Sequence, residues 1–146
     1  MTTLLDTNVL IALAWPNHIH HARATAWFTR HHRAGWATCP PTESGFVRIS
    51  SNPAIVDEAR TPAEAIELLR KLTDIGGHRF WSDDVSLAGS DLIAPGKILG
   101  HRQVTDAHLV AIALRHRGRL ATFDRRIAGV VPAGRDPESV LELIAK

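Results

Sequence analysis

Leu4-Leu5-Asp6-Thr7-Asn8-Val9-Leu10-Ile11-Ala12-Leu13-Ala14-Trp15 decides how the rest of the chain is read. Thr2 to Leu5 forms the short apolar run of a buried strand. The polar trio Asp6-Thr7-Asn8 interrupts it, and a second apolar run of helical length follows, with Asn8 placed to cap that helix. A strand that ends in a carboxylate and turns at once into a helix is the opening unit of a βαβ architecture. Ligands bind at the carboxyl edge of open parallel sheets, so Asp6 is the first candidate site residue.

The remaining sequence repeats that alternation. His20 to His32 carries Ala22, Ala26 and Trp27 at helical spacing before Gly35 breaks the pattern, and Trp36 to Cys39 reads as a second strand. Pro40-Pro41 stand where a helix begins, which places Glu43 in its first turn. Thr61-Pro62-Ala63-Glu64 is a helix start with a capping box; Ala65, Ile66, Leu68, Leu69 and Leu72 continue it, and Gly76-Gly77 end it. His78 to Trp81 reads as a third strand. Thr105 to Arg117 is apolar nearly all round, the mark of a helix buried on several sides; Gly118 stops it, and Leu120 to Phe123 is another strand. Pro137 to Ala145, behind Asp136 as a cap, predicts a closing helix. No repeat, low-complexity tract or linker divides residues 1–146, so a single α/β domain is expected: a three-layer α/β/α sandwich around a central parallel sheet.

Bulk properties exclude several classes. A chain of 146 residues suits one core that buries about two-thirds of the unfolded surface. Apolar residues make up 45% and charged residues 22%, the balance of a folded globular protein rather than a disordered one. The lone cysteine, Cys39, rules out an internal disulfide and a four-cysteine zinc site, and reads as a small buried residue. No stretch approaches the ~20 apolar residues of a membrane span. The N-terminal run lacks a basic leader and is broken by polar side chains, so it does not read as a signal peptide; a cytoplasmic location without a membrane partner is expected. A net charge of +2 permits a nucleic-acid partner without requiring one, so local charge has to decide.

Asp6 and Asp124 fall at the carboxyl ends of predicted strands, and Glu43 and Asp106 fall in the first turns of predicted helices. Each alone is ordinary, since acids in a first turn favour the helix dipole and an aspartate after a strand makes a turn. Together they would meet at one end of the sheet, where like charges a few ångströms apart repel. A divalent cation removes that conflict, and hard oxygen donors select Mg²⁺ or Mn²⁺ over zinc. The chemistry this supports is attack of a metal-activated water on a phosphodiester. Arg48, Arg102, Arg125 and Arg126 flank the acidic centre and are expected to hold phosphates on either side of the scissile bond.

Leu5-Asp6-Thr7-Asn8-Val9, Glu43-Ser44-Gly45-Phe46-Val47-Arg48, Val104-Thr105-Asp106-Ala107 and Ala121-Thr122-Phe123-Asp124 resemble the four motifs of PIN-domain nucleases, in the family's order and across essentially the whole chain. The resemblance is closest to the VapC branch, the toxins of VapBC toxin–antitoxin pairs; Arg48 to Pro53 and Gly77 to Trp81 are similar to that branch as well. It implies a Rossmann-like sandwich and a Mg²⁺- or Mn²⁺-dependent endoribonuclease that cleaves RNA, such as tRNA or rRNA loops, and so inhibits translation and growth. It further implies a homodimer in a bacterial cytoplasm, neutralised by a cognate VapB antitoxin. Carried over by motif, Asp6, Glu43, Asp106 and Asp124 become the catalytic, metal-binding quartet, and Thr7, Asn8, Thr105 and Thr122 supporting polar residues. Many relatives carry an acidic or polar residue three positions after the last aspartate; Ile127 stands there, so a second tightly held ion is not implied.

Competing readings fail on particular residues. Nine histidines invite zinc, but none shows H-E-x-x-H or Cys/His ligand spacing. Pro95-Gly96-Lys97 is not a P-loop, because its glycine spacing is wrong and Ile98 replaces the required Ser or Thr. A haloacid-dehalogenase-type phosphohydrolase wants a second Asp where Asn8 stands. A receiver domain could use Asp83-Asp84 but needs a late lysine, and none occurs between Lys97 and Lys146. A non-catalytic PIN module that only grips RNA or a partner would have lost part of the quartet, which is whole here.

Overall fold

A computed structural model of the chain describes residues 1–144. In chain order the elements are β1 (Thr3–Leu5), α1 (Thr7–Ala14), α2 (His21–His31), β2 (Trp36–Thr38), α3 (Pro40–Ser50), α4 (Pro62–Thr73), β3 (His78–Phe80), α5 (Val104–Arg115), β4 (Arg119–Thr122), the single turn α6 (Pro137–Val140) and β5 (Leu141–Leu143). The strands form one sheet of order β3-β2-β1-β4-β5 in which every neighbouring pair is parallel. Alternation along the strands splits the interior into two cores. Leu4, Ala37 and Leu120 pack with Leu109, Val110 and Ile112 of α5. Leu5, Trp36 and Ala121 pack on the other face with Leu10, Trp27, Phe46 and Leu69 from α1 to α4. Helices thus cover both faces, as the three-layer expectation required.

The strand order fixes where a site can form. The chain steps outward from β1 to β2 to β3 with α1 to α4 on one face, then crosses back to β4 on the other side of β1 with α5 on the opposite face. Parallel crossovers keep one hand, so reversing direction along the sheet requires that change of face. A crevice therefore opens between the carboxyl ends of β1 and β4, the switch point at which open α/β sheets bind ligands. Asp6 follows β1 directly and Asp124 follows β4 after one residue, so both stand at this crevice.

Four local expectations are corrected. Asp6, not Asn8, is the cap residue of α1, because its backbone carbonyl accepts from Val9 N (2.9 Å) and Leu10 N (3.2 Å). The buried face of α2 is Ala24, Trp27 and Phe28, while Ala22 and Ala26 are exposed. Helix α5 ends in a left-handed Arg117 (φ 56°), whereas Gly118 is needed for close approach, since a Cβ there would stand 2.5 Å from the Thr2 carbonyl oxygen. The predicted closing helix is one turn, capped by Asp136, followed by the edge strand β5. Leu141 and Ile144 would share one face of a helix, but they belong to opposite cores, and only extended chain divides them so. Ala145, the end of that predicted helix, lies outside the described residues.

Candidate active site

Asp6 is locked into the switch point by main chain and side chain together. Its N–H donates to Ala121 O (2.9 Å), extending the β1–β4 pairing, and its Oδ2 accepts from Thr122 Oγ1 (2.8 Å). Thr122 is fully buried, and its hydroxyl oxygen also accepts from Asp124 N (3.1 Å), so one side chain ties together the ends of both strands. Gly45 of α3 permits the helices to meet here, because a Cβ at that position would sit 2.9 Å from Thr7 Oγ1 on the first turn of α1. The glycine of the Glu43-Ser44-Gly45 segment is thereby explained by packing.

The electrostatics of the three aspartates differ. Asp6 is only 8% exposed. Burial pushes its carboxyl up to about 6; the neighbouring Asp106 and Asp124 carboxylates add to the rise, while the Thr122 hydrogen bond and the Thr7 backbone oppose it. Asp106, in the first turn of α5, is half-buried, and burial followed by repulsion from Asp124 pushes it up, with Arg126 opposing. Asp124 goes the other way, because the hydrogen bonds from Arg126 hold its carboxyl below the usual range. Among the described residues, Asp6 and Asp106 thus form an acidic pair with no cation in hydrogen-bond contact, beside a third carboxylate that has one.

These three carboxylates line a cavity of about 580 Å³. Thr7 and Asn8 also line it, and the Asn8 Oδ1 is buried without any hydrogen-bond partner. A buried oxygen left unpaired costs free energy unless something absent from the bare protein meets it. An orphaned amide oxygen beside two uncompensated carboxylates is an all-oxygen donor set, which fits a hard divalent cation such as Mg²⁺ or Mn²⁺. Among the described residues, no three His, Cys, Asp or Glu side chains are gathered closely enough to hold a metal ion by themselves.

Glu43 occupies a separate position. It begins α3 beside the end of β2, where its Oε2 accepts from Thr38 Oγ1 (2.6 Å), and Thr38 also bonds His78 Nε2 (2.8 Å). It does not line the cavity that holds the three aspartates. Thr105 is exposed at the second position of α5. Arg48, Arg102 and Arg125 are exposed, and Arg126 is exposed except where it grips Asp124.

The sequence reading missed the rest of the cavity. Ile11 of α1, Trp15 just after it, Ile49 of α3, and Ile55 and Val56 from the turns that follow α3 add an apolar lining to the same cavity, and Asp57 and Glu58 line it as well. Trp15 is fixed there, donating from Nε1 to Ser50 Oγ (3.2 Å) with the Arg60 guanidinium over its ring. His18 joins the lining; burial and the nearby His20 and His21 push its imidazole down. Nothing in the sequence pattern separates Ile11, Trp15 and Ile49 from ordinary core residues.

Comparison with known proteins agrees with this geometry. The PIN domain family model matches residues 3–131. Ribonuclease VapC39 of Mycobacterium tuberculosis is 52% identical over 92% of this chain and 96% of its own length. Ribonuclease VapC38 of the same organism is 51% identical over 97% of this chain and 96% of its own length. A crystal structure of VapBC2 from Rickettsia felis bound to a DNA fragment from their promoter contains a chain that superposes with a TM-score of 0.64 at 10% identity, covering 98% of both chains, a likeness of fold. With a parallel sheet whose switch point carries Asp6, Asp106 and Asp124, and with relatives of this identity over nearly their full length, the chain belongs to the PIN-domain family and, within it, to the VapC ribonucleases.

Proposed function

We propose that this protein is a divalent-metal-dependent endoribonuclease, the toxin of a type II toxin–antitoxin pair, working as one domain over residues 1–146. The observation that carries the reading is the buried Asp6 carboxyl, raised to about 6 and without a cationic partner among the described residues, in a cavity lined also by Asp106 and Asn8. A protein gains nothing in stability from such an arrangement, and unpaired charge of this kind marks functional sites.

In the proposed mechanism Asp6 and Asp106 would hold the cation, with Asn8 beside them in the cavity lining, and Asp124 and Glu43 would complete the shell or orient the attacking water. When bound, Mg²⁺ or Mn²⁺ supplies Lewis-acid polarisation of a phosphoryl oxygen and makes water a stronger acid. Thr122 would keep the Asp6 carboxylate aimed by donating to its Oδ2. Arg48, Arg102, Arg125 and Arg126 would hold RNA phosphates, offsetting the repulsion of the substrate by the carboxylates. Single-stranded or looped RNA suits the site because its backbone can be splayed into a crevice.

The cavity's mixed lining of apolar side chains with the acids Asp6, Asp57, Glu58, Asp106 and Asp124 suits an amphipathic, basic helix of a VapB-type antitoxin, which would cover the site and place a cation among the carboxylates. A homodimer in the bacterial cytoplasm completes the proposal, and among the described residues no helix is long and apolar enough to cross a membrane. The test is cleavage of total RNA by antitoxin-free protein with Mg²⁺, with Mn²⁺ and with a chelator, beside Asp6→Asn. Discrete metal-dependent fragments that disappear in the variant are expected; folded wild-type protein that cuts nothing in either metal overturns the reading.

A further inference from the structure

We propose that Arg126 is a resident counter-ion of Asp124, a guanidinium that a divalent cation has to displace before Asp124 can join its ligands. The inference rests on the metal reading above and concerns how the empty and loaded sites exchange partners. Both Asp124 oxygens are engaged by this one residue: Oδ1 accepts from Arg126 N (2.9 Å) and Nε (3.0 Å), and Oδ2 accepts from Nη2 (3.1 Å). This is a fork closed on a carboxylate, the geometry in which a guanidinium competes best for oxygen lone pairs. A cation would need one of those lone pairs.

The contact has the features of a placeholder rather than a structural pair. The Arg126 side chain is 85% exposed, Asp124 is its one ion-pair partner among the described residues, and release into water leaves no hole. Asp124 caps the turn Arg125–Val130 through the Arg126 N–H, which survives any movement of the guanidinium. Of the three aspartates at the switch point, Asp124 alone has a cationic hydrogen-bond donor among the described residues, and the same guanidinium moderates the repulsion at Asp106. Arg126 thereby keeps the metal-free cluster tolerable, and the cation that replaces it takes over both tasks. Arg125 provides an internal reference. It carries the same charge one residue earlier, is exposed, and among the described residues forms no ion pair.

The experiment is Mn²⁺ binding to the full chain, read from the electron paramagnetic resonance signal of free Mn²⁺, for wild type, Arg126→Gln, Arg126→Lys, Arg125→Gln and Asp6→Asn. Removing the competitor is expected to tighten Mn²⁺ binding about fivefold in Arg126→Gln, the scale of one exposed ion pair. Arg125→Gln should stay within about twofold, since a neighbouring exposed charge acts only through screened space. Arg126→Lys, which keeps the charge but loses the fork, should fall between the two. Equal tightening in Arg126→Gln and Arg125→Gln would mean that net charge alone matters and overturns the proposal, as does unchanged or weaker binding in Arg126→Gln. Wild-type protein that binds no Mn²⁺, or binds it equally after Asp6→Asn, overturns the metal reading itself and the proposal with it.

Discussion

Helix α5 stands between two acidic groups that the structure treats in opposite ways. In the segment after β3, Asp83 pairs with His108 (Nε2–Oδ2, 2.9 Å) and Asp84 makes a two-pronged contact with Arg115 (3.2 and 2.9 Å). At the switch point, Asp106 of the same helix faces Asp6 and has no cation in hydrogen-bond contact, and both carboxyls are pushed up by burial. The first group is satisfied by its own chain, and Asp84 is held below the ordinary carboxylate range by Arg115. The second, among the described residues, has no cationic partner at Asp6 or Asp106. Acidity of sequence is common to both groups, and the missing partner separates a site from a brace.

The sharpest way to break this comparison is to neutralise one carboxylate from each group. Asp106→Asn should lower RNA cleavage by ~100-fold or more, as expected when a group that acts at the reacting centre is lost. Asp83→Asn should leave the rate within about threefold while costing some thermal stability, because it loosens a half-buried pair with His108. The check is initial rate on one labelled RNA at saturating Mg²⁺. Comparable losses in both variants would mean that the two groups are not different in kind.

A smaller effect separates them by pH. Asp6 has its folded value near 6 against an ordinary 3.8, so the folded state binds the proton more tightly than the unfolded one. Stability from this group is therefore fully present below about pH 4 and is lost as pH rises toward about 6. At neutral pH without metal the charged, buried carboxylate costs up to about 3 kcal/mol. Asp6→Asn should accordingly be more stable than wild type in chelator at neutral pH, with the gap closing near pH 4 in denaturant titrations. Mg²⁺ should narrow the same gap from the other side by stabilising wild type alone. A variant less stable than wild type at every pH would place the value of Asp6 in packing and hydrogen bonding instead.

How much of this was legible in the sequence depends on whether the signal was local. Asp6 and Asp124 could be found because each directly follows or nearly follows a short apolar strand, and Asp106 because a helix start and an unbroken apolar run bracket it. The layers of the fold followed from the same alternation. The exchange at Asp124 was hidden: Arg126 was visible as a cation, but its fork onto a residue two positions earlier is set by the turn Arg125–Val130. Glu43 was correctly placed in a first helical turn, yet Thr38 on β2 turns its carboxylate to the strand edge, a contact that no spacing announces. β5 was misread because Leu141 and Ile144 have helical spacing, and the pairing with β4 that overrides it is tertiary. The apolar lining was invisible for a simpler reason, since a groove and a core are lined by the same residue types.

The smallest expected effect tests the satisfied side of the comparison. Arg115 and Asp84 are both more than half exposed, so their contact gains little beyond what water already provides, despite its two-pronged geometry. Arg115→Gln should therefore leave the melting temperature within the error of replicate scans at physiological salt, and should leave RNA cleavage unchanged. Its only visible consequence should be a slight loss of stability at low ionic strength, where exposed charges are least screened. A clear drop in melting temperature at physiological salt would show that the segment around Asp83 and Asp84 is fastened to α5 chiefly by this pair. Trp81, stacked on His116 of the α5 end and buried under Gly118, would then contribute less to that attachment than its burial indicates.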